Sequence, residues 1–276
     1  MLQTQLVRQC GRSAAVFVLQ AVLLTGLSIG ETSPASPEAQ RLGDLLARTA
    51  NQTAGFLDQF SDVKCTEKVR QEKLGKDDKV ELKEDSTYDY LVILTNAGGE
   101  LNLSESRIPV HEAKRDRKNT SMLLSNGFAT LFLVFHPYYA EAFKFTLAGE
   151  EVVDGRVLDK VGFQHVLGMK SPAALALRGR EYPLELSGMA WIDPHTGSIT
   201  KIEAGIADTL QDVGLKSLNS EIDFAPVPFS DSKQLYWFPT QARVEVETPR
   251  QHWRNLHQFS AYKKFSVSTE EQVVNK

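Results

Sequence analysis

From residue 62 onward the chain consists of short runs that alternate apolar and polar residues, separated by turn signals. The run VKCTEKVRQEKL at 63–74 is followed by GKDD and then by a second alternating run at 80–96. A period of two places successive side chains on opposite faces of a β-strand, and strands joined by short turns pair as antiparallel neighbours. The pattern therefore predicts a mainly β (α+β) fold built on an antiparallel sheet of about ten strands.

The most clearly marked hairpin is LELSGMAWIDPHTGSITKIEAGI at 184–206. Its centre, DPHTG, has a proline that fixes φ, an aspartate that accepts backbone hydrogen bonds and a glycine suited to a left-handed position. Gly98-Gly99 and Asp154-Gly155 predict two further turns. The segment 171–183 is interpreted as a looser connection. Further strands are predicted within 213–229, 236–248 and 252–268.

One long amphipathic helix is predicted over 36–60, before the strands. Ser36 can cap its start, and Pro37 suits the first turn. Apolar residues recur at helical spacing, and the opposite face is polar, so the helix should cover an apolar surface elsewhere. The residues on the apolar side are Leu42, Leu45, Leu46, Thr49, Thr53, Phe56, Leu57 and Phe60.

The first 35 residues have the order of a secretory signal peptide followed by a short linker. Arg8 and Arg12 precede an apolar stretch at 14–29, and small residues and prolines follow at 30–37. An uncleaved N-terminal anchor is the alternative interpretation. We expect an exported protein of the periplasm or cell envelope of a bacterium, with one domain over 36–268 and a flexible C-terminal tail over 269–276.

The net charge of −4 argues against nucleic acid as a partner, because nucleic-acid binding depends on an excess of Lys and Arg against phosphate. Cys65 is the single cysteine that remains after removal of the predicted signal, so no internal disulfide is expected.

The stretch SNGFATLFLVFHPYYAEAFKF at 125–145 is the least polar internal part of the chain. It is too short and too interrupted for a membrane span, which needs about 20 apolar residues. Asn119 or Thr120 can cap a helix here, and Pro137 would end it. Because the helix would be apolar on nearly all sides, it should be buried. Two interpretations remain, an ordinary core helix and a helix that plugs the mouth of an open, apolar-lined sheet.

The hairpin carries the pattern G-x-A-W-I-D-x-x-T-G-x-I-x-K-I-E between Gly188 and Glu203. With the preceding helix and the apolar insert, this pattern resembles the periplasmic lipoprotein-carrier superfamily, the LolA/LolB-like proteins, over about 38–268. The resemblance implies a strongly curved antiparallel half-barrel whose concave face holds acyl chains under helical lids. Arg70 and Arg107 are the possible positions for that family's lid-binding arginine.

Motifs for catalysis or metal binding are incomplete in this chain. The sequence has no GxSxG, Walker or GxGxxG pattern, and His111-Glu112 does not continue into HExxH. His252 and His257 fall on opposite faces of a strand, so they cannot share a metal. His136, between an apolar run and Pro137, is interpreted as a packed, hydrogen-bonded residue and not as a base. We therefore expect no enzyme, no metal and no cofactor.

The sequence favours a protein that binds a lipid, an acyl chain or another hydrophobic molecule in a lidded concave β surface. The alternative is a cell-envelope interaction or scaffold protein whose own helices fill the concavity, with an envelope protein as its partner. No membrane span is expected after the signal region. The residues expected to line the ligand site are Phe128, Leu131, Phe132, Phe135, Trp191 and Tyr90.

Overall fold

The structure is a computed structural model that describes residues 36–97, 100–110, 128–177, 180–210, 213–229 and 236–264. The predicted signal peptide and linker at 1–35, the Gly98-Gly99 turn and the predicted tail at 269–276 lie outside the described residues. So do the predicted helix caps Asn119 and Thr120.

Two α-helices and twelve strands make up the described part of the chain. The helices are α1 (Pro37–Phe60) and α2 (Phe128–Phe132), with short 3-10 segments at Lys76–Asp78, Leu133–Phe135 and Pro137–Ala142. The strands are β1 (Val63–Leu74), β2 (Val80–Ala97), β3 (Glu100–Pro109), β4 (Phe143–Val153), β5 (Arg156–His165), β6 (Ala174–Leu177), β7 (Arg180–Pro183), β8 (Leu186–Ile192), β9 (Ile199–Ile206), β10 (Ser217–Val227), β11 (Tyr236–Glu247) and β12 (His252–Lys264).

Ten of these strands form one antiparallel sheet in the order β3-β2-β1-β12-β11-β10-β9-β8-β5-β4. The prediction of about ten antiparallel strands is confirmed. The edge strands β3 and β4 do not pair with each other, so the sheet is not closed into a barrel. Strands β6 and β7 form a separate hairpin within the segment that the sequence suggested was a loose connection. Strands of four residues are too short to show a clear alternation.

The sheet is curved, as in a half-barrel. Three strands separate β5 from β11 in the sheet order, yet the guanidinium carbon of Arg156 on β5 lies 4.9 Å from the ring centre of Trp237 on β11. A flat sheet would hold these strands about 19 Å apart, since neighbouring strands are spaced by about 4.8 Å. The sheet is therefore strongly curved at this end, in agreement with the predicted fold.

Helix α1 forms where the sequence predicts it. The Ser36 hydroxyl accepts a hydrogen bond from the Ala39 N–H at 3.2 Å, and Pro37 occupies the first turn. The residues of α1 that are buried lie on the predicted face: Leu45, Thr49, Thr53, Phe56, Leu57 and Phe60. Near its start, Arg41 forms ion pairs with Glu150 of β4 and Asp159 of β5. Both ends of the helix are thus attached to the sheet, one by charge and the other by aromatic packing.

The turn between β8 and β9 has the predicted chemistry. One carboxylate oxygen of Asp193 accepts hydrogen bonds from the N–H groups of His195 and Thr196, at 2.9 and 3.0 Å. Gly197 adopts φ of +75°, and a Cβ atom there would lie 2.7 Å from the backbone of Arg48 in α1. Glycine is needed both for the backbone conformation and for the close approach of the helix.

The described part of the apolar stretch begins with one short turn of α-helix followed by a 3-10 turn, and a second 3-10 segment follows at Pro137–Ala142. The helical conformation ends at His136, whose φ of −74° and ψ of 140° are extended. A residue before proline is disfavoured in the helical region, which explains this stop at Pro137. Among the described residues, no helix has both the length and the hydrophobicity to cross a bilayer.

Candidate functional site

The inner face of the sheet is largely apolar. Inward residues in register across five neighbouring strands are all at most 4% exposed, and each belongs to the main core. These residues are Val161, Ala190, Ile202, Ile222 and Ala242. The same row continues across β12 to His257, where the apolar character ends. The concave face therefore has a long apolar region and a polar region next to it.

The residues Leu131–Phe135, here called the cover segment, lie over the apolar region, and all five are buried. The ring of Phe132 stacks on Phe56 of α1 at 4.3 Å and meets Phe224 of β10 edge-on at 4.6 Å. Phe135 contacts Phe145 and Phe163 at ring distances of 5.4 and 5.8 Å. The cover segment thus bridges the helix and the inner face of the sheet by ring packing.

Hydrogen bonds around the cover segment are local within the described residues. The N–H of His136 donates to the carbonyl of Leu133 at 3.1 Å, and the His136 imidazole accepts from the N–H of Tyr138 at 3.1 Å. Burial lowers the pKa of His136. His136 is therefore packed and hydrogen-bonded, as the sequence suggested. Farther along, the exposed Lys170 donates to the Tyr138 hydroxyl at 3.2 Å.

Four of the six predicted site residues belong to the main core: Tyr90, Leu131, Phe132 and Phe135. The rings of Tyr90 and Phe132 are connected through Phe60 and Phe56. Phe60 lies 6.3 Å from Tyr90 and 5.1 Å from Phe56, and Phe56 stacks on Phe132. The side chain of Phe128 lies outside the described residues.

Trp191 lies on the other face of the sheet. Its neighbours Ala190 and Ile192 belong to the main core, whereas the Trp191 ring lies under Lys160 and Lys201 at 5.3 and 5.0 Å. The indole N–H donates to Glu151 at 2.9 Å. The structure therefore does not bring Trp191 to the concave surface. Alternate residues of a strand face opposite ways, and the run AWI is apolar on both faces, so its sequence pattern could not assign the side.

A group of buried charged side chains, here called the charged cluster, occupies the polar region of the inner face. It comprises Glu67 on β1, Glu105 and Arg107 on β3, and His257 on β12. Arg107 donates from Nε and Nη2 to the two oxygens of Glu67, at 2.6 and 3.0 Å, and from Nη1 to Glu105 at 3.0 Å. The His257 Nδ1 atom lies 2.8 Å from Glu67. The cluster therefore ties three strands together by charge-assisted hydrogen bonds.

Charge states within the cluster follow from these contacts. Burial tends to raise the pKa of Glu67, but hydrogen bonds from His257 and Arg107 outweigh it, so this pKa is lowered. Burial tends to lower the pKa of Arg107, but Glu105 and Glu67 outweigh it, so this pKa is raised. Glu67 is therefore ionised and Arg107 protonated near neutral pH. A carboxylate can only accept, so Nδ1 of His257 carries the proton in their hydrogen bond.

Tyr90 on β2 lies between the apolar region and the charged cluster. Its side chain is fully buried, with Phe259 at a ring distance of 5.4 Å and the Arg107 guanidinium 4.7 Å above its ring. The Tyr90 hydroxyl is buried, and no residue in the described part of the chain forms a hydrogen bond with it. Burial raises the pKa of this phenol well above its usual value, so it keeps its proton.

Sequence reasoning did not predict the charged cluster. The available signal was Glu67 itself, which shares the inward side of β1 with Val63, Cys65 and Val69. Of the two arginines considered as lid-binding candidates, Arg107 points inward, whereas Arg70 forms an exposed pair with Asp85 at 2.9 Å. The arginine in the concavity is thus engaged by carboxylates.

Other chemistry is limited in the described residues. Cys65 is a free, buried thiol, and burial is the main reason that its pKa is raised to about 12. A thiol of this kind is not a ready nucleophile. The described part of the chain contains no group of three or more His, Cys, Asp or Glu residues that could hold a metal ion.

No protein-family model matches this chain, and no curated protein matches it. Solved structures do match. A protein of the DUF1329 family from Desulfovibrio piger aligns with a TM-score of 0.46 and 13% identity over 83% of this chain and 94% of its own. A LolA superfamily protein from Nitrosomonas europaea has a TM-score of 0.38 and 10% identity over 81% and 94%.

A putative outer membrane lipoprotein-sorting protein domain from Vibrio parahaemolyticus also aligns, with a TM-score of 0.38 and 12% identity over 82% of this chain and 94% of its own. At these identities the likeness concerns the fold alone. The matched structures include the LolA superfamily, which is the family that the β8–β9 hairpin motif resembles.

Proposed function

We propose that this chain is an exported binding protein of the bacterial cell envelope that holds a lipid, an acyl chain or another hydrophobic molecule. The ligand would lie on the apolar inner face of the sheet, beneath α1 and the cover segment. Phe128, Leu131, Phe132, Phe135 and Tyr90 are the proposed contacts. Support for export comes from the first 35 residues, in which positive charges are followed by an apolar stretch and then by small residues.

One observation carries the proposal, which is the way in which the cover segment is held. Phe132 meets Phe56 and Phe224 by ring packing, and the hydrogen bonds described for this segment are local. An acyl chain can replace such contacts with similar ones, because dispersion and hydrophobic burial have no fixed partner. A cover held by directional polar bonds would leave unpaired groups behind after displacement.

The energetics of exchange set a modest affinity. Each buried methylene of an acyl chain is worth about 0.8 kcal/mol. The ligand must also displace cover side chains that already occupy the site, so the affinity is the difference between the two sets of contacts. Reversible binding is the expected behaviour of a carrier of this design.

A second candidate has its own supporting observation. Every side chain of the cover segment is at most 5% exposed, so the inner face is already covered in this structure. A scaffold or interaction protein of the envelope, with an envelope protein as partner and no ligand, is compatible with such a filled interior.

Titration of the delipidated protein with Nile red, a dye that fluoresces in apolar surroundings, distinguishes the two candidates. The binding function predicts saturable fluorescence at about one dye per chain, reversed by monolauroylglycerol. Native mass spectrometry of freshly purified protein should in addition show a bound lipid.

A matched control for this titration is the same protein unfolded in denaturant, which should give no saturable signal. Fluorescence that rises linearly with dye, together with a lipid-free mass, would contradict the binding function and favour the scaffold.

A further inference from the structure

The Tyr90 hydroxyl is an unexplained polar group on the proposed ligand surface. The residue is 0% exposed, and its oxygen has no hydrogen-bond partner among the described residues. Leaving such a group unpaired in an apolar interior is unfavourable. Because its pKa is raised, the phenol keeps its proton and can donate a hydrogen bond. Its position therefore suits a ligand atom that accepts one.

The charge beside Tyr90 restricts what that ligand atom can be. Glu67 and Glu105 contribute two negative charges and Arg107 one positive charge, and all three side chains are at most 8% exposed. With His257 neutral the cluster carries one net negative charge, and protonation of His257 brings it only to zero. Among these four described side chains, positive charge therefore does not exceed negative charge.

Arg107 is also engaged geometrically. Its Nε, Nη1 and Nη2 atoms each donate to a carboxylate oxygen of Glu67 or Glu105, at 2.6 to 3.0 Å. Three of the five N–H groups of this guanidinium are therefore taken by carboxylates whose charges already balance the arginine. A ligand carboxylate at this place would add a further negative charge beside two buried ones, which is unfavourable.

Resting on the function proposed above, we infer that Tyr90 makes the site selective for acyl ligands whose polar end is an uncharged ester or amide. The phenol O–H donates to the carbonyl oxygen of such a ligand, while the charged cluster disfavours a free carboxylate at the same place. Tyr90 is thus a specificity-determining residue, and fatty-acid anions are poor ligands.

Displacement of Nile red by two matched ligands tests this inference. Monolauroylglycerol carries an ester, and laurate carries a carboxylate on the same acyl chain. At about pH 8 a fatty acid is ionised. Monolauroylglycerol should then displace the dye at a concentration about tenfold lower than laurate does. In Tyr90→Phe, displacement by monolauroylglycerol should weaken about fivefold, whereas laurate should be unaffected.

Two further variants separate selectivity from folding. Tyr138→Phe removes a phenol hydroxyl from an exposed residue, and it should leave both displacement curves unchanged. Glu105→Gln removes one negative charge from the cluster, and it should improve displacement by laurate more than by monolauroylglycerol. The thermal midpoint of Tyr90→Phe should not fall, because the substitution breaks no hydrogen bond to any described residue.

The outcomes distinguish this inference from the binding function. The inference is overturned if the two ligands displace the dye equally well, or if Tyr90→Phe weakens displacement by both ligands to the same extent. The binding function stands in either case. The absence of saturable Nile red binding overturns both.

Discussion

Two regions of the inner face are equally buried but are held by different forces. Over the apolar region, Phe132 is 4% exposed and packs on Phe56 and Phe224. In the charged cluster, Glu67 is 0% exposed and is bound by Arg107 and His257. Burial alone therefore does not indicate which part of the interior can be exchanged for a ligand.

The difference lies in what each region needs after its contacts are broken. An aromatic ring leaves an apolar surface that any other apolar group can cover. A buried carboxylate that loses its arginine keeps an uncompensated charge in a medium of low dielectric constant. We infer that ligand exchange takes place over the apolar region, while the charged cluster holds β1, β3 and β12 in register.

The largest expected effect is the loss of the buried arginine. Arg107→Met should lower the free energy of unfolding by about 4 kcal/mol, because the buried Glu67 and Glu105 lose their hydrogen bonds to the guanidinium. Arg70→Met is the matched control, since its pair with Asp85 is largely exposed and should contribute less than about 1 kcal/mol. Equal losses in urea titrations of the two variants would remove the proposed distinction between the regions.

Truncation of the cover segment should have the next largest effect. Phe132→Ala should lower the free energy of unfolding by about 3 kcal/mol through the lost packing. It should also tighten Nile red binding, because the dye no longer has to displace that ring. Both quantities are measured on the same purified variant.

Trp253→Ala provides the control for this variant. Trp253 is 3% exposed on β12 but is not part of the main core cluster, so its truncation should destabilise the protein without a gain in dye affinity. If both variants bind the dye more tightly, the gain reflects general loosening, and the cover segment has no special role.

A smaller effect should follow from acid. The pKa of Glu67 is lowered in the folded protein, so its contribution to stability is complete above the ordinary value of 4.5 and is lost as the pH falls through the folded value below that. Urea midpoints of the wild-type protein should therefore decrease as the pH falls below the ordinary value of 4.5. In Glu67→Gln the urea midpoint should depend less on pH. An identical pH dependence in the variant and the wild-type protein would contradict the attribution of this effect to Glu67.

Local sequence determined much of the fold. Ser36 and Pro37 predict the start of α1, and the DPHTG turn predicts the geometry that Asp193 and Gly197 adopt. Alternation along the later strands predicts an antiparallel sheet of the observed size. These features depend on residues within a few positions of one another, so they can be predicted directly from the sequence.

Tertiary structure decided which side chains meet in the interior. Glu67 pairs with Arg107 and His257, which are 40 and 190 positions away in the chain. Trp191 faces away from the core because the register of β8 places Ala190 and Ile192 inward. Such outcomes depend on strand order and register, which are set by the packing of the whole sheet and not by the residues next to each position. For that reason the sequence alone determined most of the elements and the apolar character of the interior, whereas only the folded sheet placed a buried charged cluster beside it.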